Sequence, residues 1–174
     1  MKKLLLSLAA FAALVQPAWS QDKWPSRPIK FIVPYAAGGN TDAVTRIAAN
    51  HLQKSLGVCI VIENRGGAGG IVGTDAVAKA APDGYTILLG TTSALGVSPA
   101  LYKEVPYDPI KSFTPIIEVT RGPFILTVKP SLGVKNLKDV IELARRSPGK
   151  LNAGSAGQGS VHHLALEQFK QAAG

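Results

Sequence analysis

The chain has 174 residues, of which 46% are hydrophobic, enough for a real core in one domain or in one domain and part of another. Lys and Arg number 19 against 11 Asp and Glu, a net charge of +8. The basic residues are scattered and do not interleave with aromatics, which argues against a nucleic-acid partner and suits an anionic small molecule.

Lys2 and Lys3 precede an apolar run from Leu4 to Val15, broken by Pro17. Ala18-Trp19-Ser20 then fits a small-x-small cleavage site. Residues 1–20 therefore read as a secretory signal peptide, better than as a membrane anchor, and the mature chain as exported and soluble.

The first strand is expected over residues 29–33. Pro34 stops it, Gly38 and Gly39 permit a tight turn, and Asn40, Thr41 and Asp42 are all good N-cap residues. The helix that follows places Val44, Ile47, Ala48 and Leu52 on one face, with Gly57 as its stop. Residues 58–62 form the second strand. Cys59 lies inside it and reads as a buried, inert thiol; as the only cysteine it excludes an internal disulfide. Gly66-Gly-Ala-Gly-Gly70 makes the next turn, a second helix runs to about Ala80, and residues 85–89 are the third strand.

This rhythm predicts βαβ units and a parallel sheet. Ligands bind beyond the carboxyl ends of such strands, which selects the loops at residues 34–42, 63–70 and 90–93. The first loop presents backbone N–H groups at the positive end of a helix dipole, an arrangement that favours an anion. The third offers the hydroxyls of Thr91, Thr92 and Ser93.

Further on, a short helix follows Ser98-Pro99, and residues 113–120 and 124–128 are strand candidates with a domain boundary near Arg121. Asn136 caps a helix, with Asp139 in capping-box position and Leu137, Val140, Ile141 and Ala144 as its buried stripe. A short strand at residues 151–153 feeds Gly154-Ser-Ala-Gly-Gln-Gly-Ser160 and another helix. The opening feature thus recurs, and two opposed helix N-termini would grip a diacid or one carboxylate. No dinucleotide fingerprint or P-loop lysine is present. Adjacent His162 and His163 point apart on a helix, which is poor for one metal, and the Ser160/His163 spacing suggests capping more than a triad. No cofactor and no metal are implied.

Several motifs together resemble the Bug-type extracytoplasmic solute receptors of tripartite tricarboxylate transporters. They are Trp24-Pro-Ser-Arg-Pro-Ile29, Val33-Pro-Tyr-Ala-Ala-Gly-Gly39 with Asp42, Val61-Ile-Glu-Asn-Arg-Gly-Gly-Ala-Gly-Gly70, Ala80-Ala-Pro-Asp-Gly-Tyr85, Pro99-Ala-Leu-Tyr102, Pro106-Tyr-Asp-Pro109, and Pro148-Gly-Lys-Leu-Asn152 followed by Ala156-Gly-Gln-Gly-Ser160. The resemblance implies an α/β, periplasmic binding protein-like fold with two parallel-sheet-containing domains around a ligand cleft. Residues 21–120 would belong to the first domain and residues 121–174 to an incomplete second one.

The resemblance further implies that Tyr35, Ala36, Ala37 and Gly38 contact a ligand carboxylate, with Gly39 and Asp42 shaping the turn. Thr91, Thr92 and Ser93 match the hydroxyl loop, and Ser155, Ala156, Gly157, Gly159 and Ser160 the second-domain loop. It implies a monomer, not an enzyme, that captures a small organic acid in the periplasm for integral membrane permease subunits. The alternatives are a receptor that signals through a sensor kinase, and an exported hydrolase using Ser160. Family members are longer than this chain, so the missing scaffold would leave apolar surface and strand edges exposed, and the fragment would be aggregation-prone and weak in binding.

Overall fold

The computed structural model describes residues 23–173. The expected signal peptide at residues 1–20 lies outside the described residues. Strands β1 (Ile29–Val33), β2 (Ile60–Asn64) and β3 (Thr86–Leu88) form one parallel sheet in the order β2-β1-β3. Ile29 pairs with Ile60, Val33 with Asn64 and Ile32 with Leu88. The central strand β1 buries Ile29, Phe31, Ile32 and Val33 and exposes only Lys30. A near-continuous apolar strand is what a parallel sheet covered on both faces requires. Each of these side chains contributes about 1.5–3 kcal/mol by leaving water.

Helix α1 (Asn40–Leu56) packs Val44, Ala48, Ala49, Leu52 and Leu56 against Ile29, Phe31, Ile60 and Leu89. Ile47 does not join this stripe and is 63% exposed. The buried position goes to Thr45, whose hydroxyl donates to the Thr41 carbonyl at 2.7 Å and so carries no unmet polar group. Gly57 ends the helix in the left-handed region at φ +69°, as the sequence predicts.

A 3₁₀ turn (Ala68–Gly70) leads into α2 (Ile71–Ala78), which covers the opposite face beside Ile32. Gly73 lets it approach the β1 end. A Cβ there would stand 2.6 Å from the Arg65 carbonyl oxygen and 2.8 Å from Pro34 Cα. Beyond β3 come a π turn (Ser93–Val97), α3 (Ser98–Leu101), α4 (Leu137–Arg146) and α5 (Val161–Ala173).

Several expectations need correction. Cys59 is exposed, because β2 is an edge strand that begins only at Ile60. Residues 113–120, 124–128 and 151–153 form no strand. A strand exists only by pairing, and these segments meet no partner ladder; Ile116 stands 81% and Ile125 78% exposed. Helix α4 is capped as predicted, with Asn136 Oδ1 accepting the Asp139 N–H at 3.1 Å and Asp139 Oδ2 accepting the Lys135 N–H at 2.8 Å. Its stripe is only half-buried at Val140 and Ile141, while Leu137 and Ala144 are exposed.

Candidate functional site

Because the three strands are parallel, the loops that leave β1, β2 and β3 lie on one edge of the sheet. The order β2-β1-β3 sends consecutive crossovers to opposite sides of β1. The end of β1 is therefore a topological switch point, where neighbouring loops part and leave a crevice. Residues 34–42 occupy that place.

Pro34 is buried, Tyr35 half-buried, and Ala36, Ala37, Gly38 and Gly39 are exposed. Gly38 takes φ +84°, with nothing within 4 Å of where a Cβ would stand. The N-cap of α1 is Gly39, and no side chain caps the helix. Asn40, Thr41 and Asp42, expected as caps, are instead its first three residues. The first turn of α1 is thus left without a side-chain cap for its orphan N–H groups.

Asp42 braces the loop from within. It is 3% exposed. Its Oδ2 accepts from Arg46 Nε and from the Gly38 N–H, both at 2.9 Å, and its Oδ1 accepts from Asn64 Nδ2 at 3.0 Å. Asn64 also donates to the Tyr35 carbonyl at 3.1 Å. Arg46, then the Gly38 N–H, then Asn64 hold the Asp42 carboxyl down at about 2, from an ordinary 3.8. A carboxylate so fully engaged shapes the turn and has little left for a ligand. Asn64 was not singled out in the sequence; it lies two residues past the predicted end of β2, where the parallel register sets it beside Val33.

The hydroxyls of the neighbouring loops reach the same edge. Tyr35 Oη donates to the Gly69 carbonyl at 3.1 Å and lies 3.0 Å from Thr91 Oγ1. A Cβ at Gly70 would stand 3.1 Å from Tyr35 Oη and 3.2 Å from the Ala94 Cβ, so a glycine makes room for this meeting. Thr92 is exposed, whereas Ser93 is buried and its Oγ accepts the Val161 N–H at 3.1 Å.

That last bond joins the first glycine loop's neighbourhood to the second. A Cβ at Gly69 would stand 3.6 Å from the Gln158 carbonyl oxygen, and one at Gly159 only 2.5 Å from Tyr102 Oη. Residues 158–160 therefore rest on the loops after β2 and β3. Ser155, Ala156 and Gly157 are exposed, while Gly159 and Ser160 are buried. Ser160 Oγ donates to the Gly157 carbonyl at 2.7 Å and accepts the His163 N–H at 3.2 Å. His163 Nδ1 accepts from the Gly159 N–H at 3.4 Å, so its imidazole is not the base of Ser160. The two helix N-termini consequently differ. In the first turn of α5, Ser93 accepts the Val161 N–H and Ser160 the His163 N–H, whereas α1 has no side-chain cap. Among the described residues no group of three His, Cys, Asp or Glu is placed to hold a metal ion.

Comparison with known proteins matches residues 44–174 to the tripartite tricarboxylate transporter family receptor. BugT of Bordetella pertussis (strain Tohama I / ATCC BAA-589 / NCTC 13251) is 40% identical over 174 residues, covering 98% of this chain and 53% of BugT. The solved structure of R. palustris Rpa4515 with adipate matches at a TM-score of 0.81 and 39% identity, over 84% of this chain and 49% of that one. MatC from Rhodopseudomonas palustris with bound malate matches at 0.79 and 35% identity, over 86% and 51%. The fold is periplasmic binding protein-like. The chain spans about half the length of the curated relatives it matches.

Proposed function

The chain belongs to the tripartite tricarboxylate transporter receptor family, and on that premise we propose that it forms part of a monomeric periplasmic receptor for a small carboxylate. The receptor binds a di- or tricarboxylate or related organic acid and delivers it to membrane permease subunits, with no chemistry performed. One observation carries this reading. The N-terminus of α1 has no side-chain cap and lies at the switch point of a parallel sheet, where Tyr35 of the same loop meets Thr91 of the loop after β3. Such a terminus stabilises negative charge through its orphan N–H groups and its dipole.

In this reading the backbone of Tyr35, Ala36, Ala37 and Gly38 meets one carboxylate, while Gly39 and Asp42 hold the turn. The hydroxyls of Thr91, Thr92 and Ser93 line one side. Ser155, Ala156, Gly157, Gly159 and Ser160 form the opposing wall, contributed by a second unit that begins near Arg121. The adipate of Rpa4515 and the malate of MatC are both dicarboxylates, which makes that class the first to test.

Calorimetry of the full-length receptor against dicarboxylates, tricarboxylates, amino acids and nicotinate-like acids checks the reading, with heat expected for at least one dicarboxylate. The Gly38→Val variant should lose it. Its Cβ finds open space in the crevice, but a β-branched residue at φ +84° is strained, so the loop shifts. Silence across the panel, or unchanged affinity in the variant, contradicts the proposal.

A further inference from the structure

Between β3 and α3 the chain makes its widest turn. Across Ser93–Val97 the helix loosens to a π turn, and the Ser98 N–H bonds back five residues to the Ser93 carbonyl. Continued by one residue, that register points the Ala94 carbonyl at residue 99. Residue 99 is Pro99, which has no N–H to give. Ala94 is fully buried, so its carbonyl would be left without a donor. The missing donor arrives from elsewhere: Tyr107 Oη donates to the Ala94 carbonyl at 2.6 Å.

Tyr107 makes this contact from a buried position, with the Thr74 hydroxyl also beside its own. It is 7% exposed, and Phe113 packs edge-on against its ring with centroids 5.8 Å apart. Burial pushes its phenol above the ordinary range, which keeps the donated proton in place. Ala94 in turn is the hub of the hydroxyl loop. Its N–H donates to Thr91 Oγ1 at 3.4 Å, and its Cβ lies against Gly70. Its neighbour Ser93 accepts the Val161 N–H.

We infer that Tyr107 is a positioning residue for the candidate site: its hydroxyl replaces the N–H that Pro99 lacks, and so locks the π turn that sets Thr91 and Ser93 and, through Ser93, the loop at residues 154–160. This rests on the receptor reading only for its effect on ligand; the lock itself is a property of the free chain.

Amide hydrogen exchange on the ligand-free chain tests the lock. Tyr107→Phe should speed exchange at Ala94 and Val161 about tenfold, because a buried carbonyl loses its donor. Exchange at Lys30, whose N–H donates to the Tyr85 carbonyl inside the sheet, should not change. Adding Pro99→Ala to that variant supplies the absent N–H and should bring both amides back to within about threefold of the wild type. A packing role for Tyr107 would not be rescued in this way. Unchanged exchange in Tyr107→Phe, a parallel rise at Lys30, or failure of Pro99→Ala to restore protection overturns the inference. If Tyr107→Phe does not fold, a folded double variant supports the lock and an unfolded one overturns it. Malate titration of the same variants should show a loss of about tenfold in Tyr107→Phe and recovery in the double variant. A wild type silent to every carboxylate sinks the receptor reading and leaves the lock to be judged by exchange alone.

Discussion

A buried carboxylate with a full set of donors behaves differently from a surface one. Asp42 has three donors within hydrogen-bond distance, and its carboxyl titrates near about 2. In the unfolded chain an Asp titrates at about 3.9. The folded value is the lower one, so the stabilisation is fully present above about pH 4 and is lost as the pH falls toward about 2. Melting temperature followed from neutral to acid pH should therefore drop steeply in that window. Asp42→Asn should melt lower at neutral pH, and its acid slope should be flatter. A variant with the wild-type slope would show that the Gly38–Asp42–Arg46–Asn64 network does not set acid stability. In the proposed site the same network gives Asp42 a role without contact to the ligand: it fixes the Gly38 N–H and the turn that would meet a carboxylate.

At the scale of elements, the closest fit is between α2 and the end of β1. The atoms that a Cβ at Gly73 would strike are backbone atoms of Arg65 and residue 34, which cannot swing aside as a side-chain end can. Gly73→Ala should cost about 1–3 kcal/mol in denaturant unfolding, despite the better helix propensity of alanine. Gly122→Ala is the matched control, since nothing lies within 4 Å of its Cβ and its φ is not in the left-handed region, and it should change stability little. A neutral Gly73→Ala would mean that α2 does not hold its place against β1. How far each element was legible follows from the kind of interaction that makes it. Strand β1 was read to the residue because its apolar run ends at a proline. The cap of α4 was legible because Asn136 and Asp139 act through local bonds. Ile47 and Cys59 were misjudged because apolar patterning says a residue can be buried, not that a neighbour covers it. The strands expected at residues 113–120 and 124–128 fail for the same reason, since pairing is not encoded in the segment alone.

For the whole molecule, the gathering of the site was legible and its asymmetry was not. The parallel order placed the loops after β1, β2 and β3 on one edge, and the second glycine loop does come to rest against them through Ser93 and Val161. The repeated motif suggested two equivalent helix N-termini. The difference between them depends on tertiary bonds: α5 borrows Ser93 from a segment far away in sequence, whereas α1 starts at a glycine with no side-chain cap. The motif holding Tyr107 is visible in the sequence, but its bond to the Ala94 carbonyl is not, because that bond depends on a π turn and on the proline within reach of it.

Nuclear magnetic resonance titration of the chain with malate and with adipate reads the central claim amide by amide, and it detects weak binding as well as strong. Saturable shifts are predicted at the backbone N–H groups of Gly39, Asn40 and Thr41, accompanied by shifts at Ser155, Ala156 and Gly157 and absent from the far end of the sheet around Lys30. Shifts that avoid the first turn of α1, or no saturable shift with any carboxylate, would contradict the account.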